Sequence, residues 1–205
     1  MAISSLRNFT VPLQGGQSAP TQGLLMPKLK YRFRATFLNF GVSTDQVELS
    51  KQVADISRPN VNFNPFTIDV YNSKVNLVGK PTWEAVTVNL RDDAGNNITK
   101  LVGEQIQKQF DFAEQASASS GIDYKFQLNF EMLDGGNGGY ETRTIETWEL
   151  YGCFLSQVNY GEMNYGTNEP AMVALTITFD NAVQTPSGIG VGTLVGRAIK
   201  GAITG

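Results

Sequence analysis

The sequence contains no histidine and a single cysteine, and no long uninterrupted apolar run crosses it. Without histidine the commonest general base, metal ligand and triad member is missing. Cys153 stands in "LYGCFLS" between Tyr151 and Phe154 with no histidine to activate it, so it reads as a buried structural thiol rather than a nucleophile. A lone cysteine also forbids an internal disulfide, and a reducing compartment is the expectation. With no apolar stretch of about 18 residues, no membrane span is expected. The opening "MAISSLRNFTVPLQGG" lacks the charged-then-apolar pattern of a secretory signal. The sequons at Asn8 and Asn97 therefore carry little weight.

Basic charge is also scarce. Lys and Arg number 16 against 19 Asp and Glu, a net charge of −3. Proteins that grip nucleic acid neutralise phosphates with a surplus of cations. This chain would meet DNA with indifference or repulsion.

Nucleotide and metal motifs are missing too. "DDAGNN", Asp92 to Asn97, has oxygen ligands beside a glycine but neither the EF-hand spacing nor its late glutamate, and reads as a turn into a helix. The glycines at 188, 190, 192 and 196 do not form GxGxxG, because Thr193 takes the third glycine's place. No Gly-Lys-Ser/Thr occurs, which excludes a P-loop. Glu141, Glu146 and Glu149 are available as paired carboxylates of the kind a glycosidase uses, but exposed strand charge is the plainer reading, and Glu146 and Glu149 fall on opposite faces. No catalytic, metal or cofactor residue is assigned, and the chain is read as a non-enzyme that needs no cofactor.

What is present is β-pattern. The 205 residues suit one core with arms at its ends. The 21 glycines and 8 prolines are somewhat many for a compact domain but too scattered for a disordered chain. Residues 1–28 are polar and broken by Gly, Ser, Pro and Gln, and read as an N-terminal arm. From Leu29 the period turns to two: Tyr31, Phe33, Ala35 and Phe37 alternate with Arg32, Arg34 and Thr36. Further strands are expected over Val47–Ile56, Val61–Tyr71, Val75–Val78, Thr82–Leu90, Tyr124–Met132, Thr142–Gly152 and Met172–Phe179. "DGGNGG", Asp134 to Gly139, reads as a loose hairpin turn.

One segment has helical period instead. Ile98, Leu101, Val102, Ile106, Phe110 and Ala113 recur at three- and four-residue steps, predicting a helix over about 97–116 capped by Asn96 or Asn97. The sum is a mainly β domain at 29–186, an antiparallel sandwich or barrel with one packed helix. Residues 187–205, "GIGVGTLVGRAIKGAITG" with the residue before it, are glycine-rich and weakly cationic through Arg197 and Lys200. Gly188, Gly192 and Gly196 have the four-residue spacing of close-packed membrane helices, but so much glycine weakens a helix in water. An arm that orders on a neighbour is the preferred reading, with Leu194, Val195, Arg197, Ile199 and Lys200 as its contacts.

The stretch "SKVNLVGKPTWEAVTVNLRDD", Ser73 to Asp93, is unusual in having no clean solvent face. Glu84, Val86, Val88 and Leu90 fall on one side and Trp83, Ala85, Thr87 and Asn89 on the other. With the preceding Tyr71-Asn72, this region resembles the tail tube proteins of contractile-tailed bacteriophages. Those have a Lys-x-Asn-x-x-Gly turn, here Lys74, Asn76 and Gly79, and then an aromatic–acidic strand, here Trp83, Glu84, Thr87 and Val88. The similarity continues through "TIETWELYGCFLSQVNYGEMNYGTNEPAMVALTITFD" and covers roughly residues 29–181. Both ends are longer than in compact members, which leaves a tube-like baseplate or tail-terminus paralogue open.

The resemblance implies a structural virion protein forming homohexameric rings stacked into an inner tail tube. Its implied partners are the tail sheath protein and the baseplate and tail terminator proteins. DNA would pass through the lumen without specific binding, and no membrane is involved. The implied place is the virion's tail, assembled in the host cytoplasm. Asn72, Ser73, Lys74, Val75, Asn76, Leu77 and Lys80 are then expected to form a loop engaging the adjacent ring. Two alternatives stand beside this: the tube protein of a type VI secretion or related contractile injection system, and a β-sandwich carbohydrate-binding module stacking sugars on Trp83, Trp148 and Tyr140.

Overall fold

A computed structural model describes residues 27–42, 46–134, 144–166 and 168–186. The chain divides into two units, residues 1–32 and 33–205. Of the first, the described part is a single turn closed by the Arg32 N–H donating to the Leu29 carbonyl, with the Arg32 guanidinium 5.5 Å from the centre of the Tyr31 ring. The expected arms at 1–28 and 187–205 lie almost wholly outside the described residues.

The second unit is a mainly β domain with one packed helix, as expected. Its strands begin with β1 (Phe33–Leu38), β2 (Gln46–Glu48) and β3 (Val53–Ile56). The single run expected over Val47–Ile56 is thus two strands, split where Gln52 and Val53 donate backbone N–H bonds to the Leu49 carbonyl. An excursion follows: β4 (Val61–Phe63), β5 (Phe66–Val70), β6 (Ser73–Leu77) and β7 (Pro81–Trp83). The chain then returns to the core as β8 (Val86–Arg91), enters helix α1 (Asn97–Gln109), and makes a two-residue pair, β9 (Phe110–Asp111) with β10 (Ala116–Ser117). After a single helical turn, α2 (Gly121–Tyr124), come the long strands β11 (Phe126–Leu133), β12 (Thr144–Asn159), β13 (Met172–Thr178) and β14 (Asn181–Pro186).

Eight of these strands form one antiparallel sheet in the order β2-β1-β11-β12-β13-β8-β3, with β14 also on β12. The sheet folds on itself about β12. The first half of β12 pairs with β11 on one side and β14 on the other, while its second half pairs with β13. The two halves meet at Gly152, whose φ of 68° is a left-handed value that glycine takes without penalty. A Cβ there would lie 2.2 Å from an Asp180 carboxyl oxygen. Opposite, Asp180 separates β13 from β14 and donates its N–H to the Tyr151 carbonyl. This kink lets one ribbon serve both walls of the core. β14 was not expected from the sequence.

Period two explains the core. Ala35 and Phe37, then Phe126, Leu128 and Phe130, then Val173, Leu175, Ile177 and Phe179 are buried, and all point into one cluster. Phe37, Phe40 and Phe126 pack against each other, tilted or edge-on, at 4.9–6.1 Å between ring centres. Cys153 is buried in the same cluster, its thiol donating to the Leu150 carbonyl at 3.3 Å. Burial pushes that thiol's pKa up to about 12, which suits a structural role.

Helix α1 buries Ile98, Val102 and Gln105. It is shorter than the predicted 97–116. The Asp111 carboxylate accepts the N–H groups of Ala113 and Glu114, turning the chain out of the helix, and Phe110 is extended in β9. Nor do Asn96 or Asn97 cap the start by side chain. Asp93 accepts the Asn97 backbone N–H at 2.8 Å and its side-chain amide at 2.6 Å instead. Polar side chains fasten the helix to the sheet. Gln105 accepts from the Gly41 N–H and donates to the Tyr124 carbonyl, and Gln109 both accepts from and donates to the Leu155 backbone. Lys108 donates to the Asn39 and Gly41 carbonyls, and burial lowers its pKa.

Candidate assembly surface

The excursion from Val61 to Trp83 leaves the core as an arm. Its base is the β4–β7 ladder, Val61 opposite Trp83 and Phe63 opposite Pro81. Its outer part is the β5–β6 hairpin, Phe66 opposite Leu77 through Val70 opposite Ser73. Between the two ladders Gly79 passes so close to Asn64 that a Cβ would sit 1.9 Å from the Asn64 carbonyl oxygen. Strand advances about 3.3 Å per residue, so the paired stretch from Phe66 to Val70 alone extends the arm by roughly 17 Å.

Every residue of β5 and β6 is exposed. Directly opposed residues share a face, so Phe66, Ile68 and Val70 lie with Leu77, Val75 and Ser73. The other face carries Thr67, Asp69, Lys74 and Asn76. There Thr67 bonds Asn76 at 2.8 Å, and Lys74 pairs with Asp69 at 3.6 Å. The hairpin therefore has one polar face and one apolar face, and Phe66, Ile68, Val70, Val75 and Leu77 each leave 41–50% of their surface to solvent. A lone two-stranded hairpin is marginal in water. At the tip a two-residue connection, Tyr71-Asn72, holds Tyr71 at φ 48° and 98% exposed. A bulky aromatic side chain in a left-handed conformation, fully in water, contributes nothing to the subunit's own packing.

The residues expected to form an inter-ring loop are thus mostly strand. Asn72 lies in the turn, Ser73–Leu77 are β6, and Lys80 is exposed beyond it. Val75 and Leu77 fall on the apolar face, Lys74 and Asn76 on the polar one. Sequence reasoning missed the other half of that face: Phe66, Ile68 and Val70 were merged into one run from Val61 to Tyr71. The signal was alternation on both sides of a two-residue turn, a hairpin pattern. The C-terminal contacts Leu194, Val195, Arg197, Ile199 and Lys200 lie outside the described residues.

The two-faced strand resolves as a break. Trp83 and Val86 both turn inward because Glu84 and Ala85 interrupt the alternation between β7 and β8. Trp83 packs on Phe179, ring centres 5.7 Å apart, and Trp148 is buried beside Phe130. Neither indole is a free stacking platform for a sugar, and Tyr140 lies outside the described residues. Glu146 is also unlike its expectation of an exposed charge. It is buried, and its carboxylate accepts from Arg58, Trp148 and Gln184. Among the described residues no cluster of His, Cys, Asp and Glu could hold a metal ion, and no helix is long and apolar enough to cross a membrane.

Besides the hairpin, the sheet ends in unpaired rims. No described strand pairs with the outer side of β14, β2 or β3. Such edges are templates for another chain.

No family model matches the sequence, and no curated relative matches it either. Solved structures do. A chain in the six-fold symmetrised cryo-EM structure of the anti-feeding prophage baseplate is 11% identical, with a TM-score of 0.62 over 81% of this chain and 100% of that one. A chain of the anti-feeding prophage's tube-terminating cap is 15% identical, with a TM-score of 0.59 over 83% and 99%. A chain of the sheath–tube complex of an extracellular contractile injection system, in its extended state, is 11% identical, with a TM-score of 0.57 over 80% and 94%. At this level of identity what is shared is the path of the backbone, and it is the fold of the tube-type proteins of contractile injection systems, the tail-tube architecture that the sequence resembled.

Proposed function

We propose that the chain is a structural subunit of the inner tube of a contractile tail. Homohexameric rings of it stack into a hollow conduit, and in a bacteriophage virion DNA leaves through that conduit. The observation that carries this is the β5–β6 hairpin, a projecting element whose apolar face has no partner among the described residues. In a monomer such a face is a liability, and in a polymer it is the joint. Unpaired sheet rims supply lateral contacts that close a ring, while axial contacts stay open and propagate. The fold supports the reading, and so do the assemblies holding the similar chains: a baseplate, a tube-terminating cap and a sheath–tube complex. Sheath, baseplate and terminator proteins are accordingly the proposed partners. The segments 1–28 and 187–205 are proposed as arms reaching neighbouring subunits. The net charge of −3 fits a lumen along which a polyanion slides without adhering.

A second reading shares the architecture and differs in cargo. The similar chains belong to the anti-feeding prophage and an extracellular contractile injection system, which favours an injection machine carrying protein as much as a phage carrying DNA. Negative-stain microscopy of the purified full chain tests what both readings have in common. Rings or tubes with a central channel are expected. Featureless particles of one subunit's size at high concentration would sink both.

A further inference from the structure

Both legs of the arm spring from neighbouring strands of the same wall, β3 and β8. Before the first leg, the Ser57 N–H donates to the Thr87 carbonyl at 2.9 Å, and the Thr87 N–H donates to the Ser57 hydroxyl at 2.8 Å. Within the root the Glu84 N–H donates to the Asn60 carbonyl, and the Asn60 and Asn62 amides donate to the Glu84 carboxylate. These bonds clamp the legs to each other and to one wall. Contacts along one line leave a hinge about that line. Trp83 on Phe179 adds apolar contact beneath the second leg.

Arg58 reaches off this line. Its Nη2 donates at 3.0 Å to Glu146 Oε2 on β12, in the opposite wall, and also touches the Met132 sulfur on β11. Glu146 is only 2% exposed, whereas about half of the Arg58 side chain remains in water. Two neutral donors, Trp148 Nε1 at 2.6 Å and Gln184 Nε2 at 2.8 Å, hold the other carboxylate oxygen. They fix the carboxylate's rotation and leave Oε2 facing the arm's root. Burying a carboxylate is a poor way to gain stability, since an apolar residue of similar size serves as well or better. Its strength is direction: a charged, oriented acceptor accepts an arginine in one geometry.

We infer that Glu146 is a positioning residue for the arm: through Arg58 it ties the arm's root to the opposite wall and holds the hairpin in one pose. The consequence for assembly rests on the tube reading, because a joint must present its apolar face at a fixed angle. The pose itself does not depend on that reading.

The test reads the pose directly in the full chain. Nitroxide labels go on Asn72→Cys at the tip and Lys100→Cys on α1, diluted into unlabelled protein, and the distance distribution is measured by pulsed electron spin resonance. Buried Cys153 stays unlabelled. The parent is expected to give one narrow distribution. Arg58→Gln and Glu146→Gln are expected to broaden or shift it, and Arg58→Lys to restore it in part. Phe37→Leu, which weakens the core on β1 away from the root, should lower the melting temperature and leave the distribution narrow. A broad parent, an unchanged Arg58→Gln, or equal broadening in Phe37→Leu would overturn the inference. If Glu146→Gln fails to fold, Arg58→Gln alone decides. Failure of tube formation leaves these distances readable, so the two proposals fall separately.

Discussion

Gly152 and Cys153 occupy adjacent positions at the kink of β12 and answer to different constraints. Gly152 adopts a φ that costs a residue with a Cβ roughly 1–2 kcal/mol, and that Cβ would also drive Asp180 from its place. Gly152→Ala should therefore lower the unfolding free energy by about 2 kcal/mol or more in urea titration, and disturb the 2.6 Å Lys125–Asp180 pair. Cys153 is held protonated by burial, its pKa raised from an ordinary value of 9.0 to about 12. The folded chain thus keeps a proton that the unfolded chain loses between those values. Cys153 should favour folding fully below pH 9 and lose that contribution as pH rises toward 12, and Cys153→Ser should flatten this part of the stability profile. Alkylation at pH 8 should follow unfolding and leave the native protein unmodified. Cysteine's role was legible in the sequence because no histidine exists anywhere in it to activate the thiol. Gly152 was not, since one glycine in an apolar strand says nothing about which side chain crowds it.

Among the elements, the arm is where assembly is proposed to occur. Its apolar face carries five large residues about half exposed, and covering what remains would contribute roughly 1 kcal/mol each. Ile68→Asp or Val75→Asp should leave the melting temperature within a degree or two of the parent, since neither residue touches the core, while abolishing assembly seen by sedimentation. Tyr71→Gly is sharper still. It relieves a left-handed tyrosine at the tip and should leave the subunit as stable or more so, yet weaken assembly. Gly79→Ala should do the reverse of a clean interface change. Its Cβ meets backbone at 1.9 Å, so it must spread the two ladders and unsettle the outer hairpin. Strands with strict alternation, such as Phe126 to Leu133 and Met172 to Thr178, could be read directly because one buried face writes period two into the chain. The arm was harder. With no core behind it, only the turn separates β5 from β6, and a broken alternation at Glu84-Ala85 looked like a strand with two apolar faces. The helix was overextended because periodicity continued to Ala113, whereas the carboxylate of Asp111 had already turned the backbone.

For the whole molecule, architecture was legible and pose was not. Strands, one helix and more strands imply an antiparallel domain with a packed helix, and the folded sheet around one core is that domain. Which rims remain open, and how the arm is aimed, depend on contacts distant in sequence: Arg58 with Glu146, Gln109 with Leu155, Asn64 beside Gly79. The arm's apolar face is proposed as a joint between copies, and a cryo-EM reconstruction of the assembly formed by the full chain would show it. Stacked rings are expected in which a neighbouring subunit covers Phe66, Ile68, Val75 and Leu77. A tube in which that face stands bare in solvent, or a chain that forms no assembly at all, would contradict it.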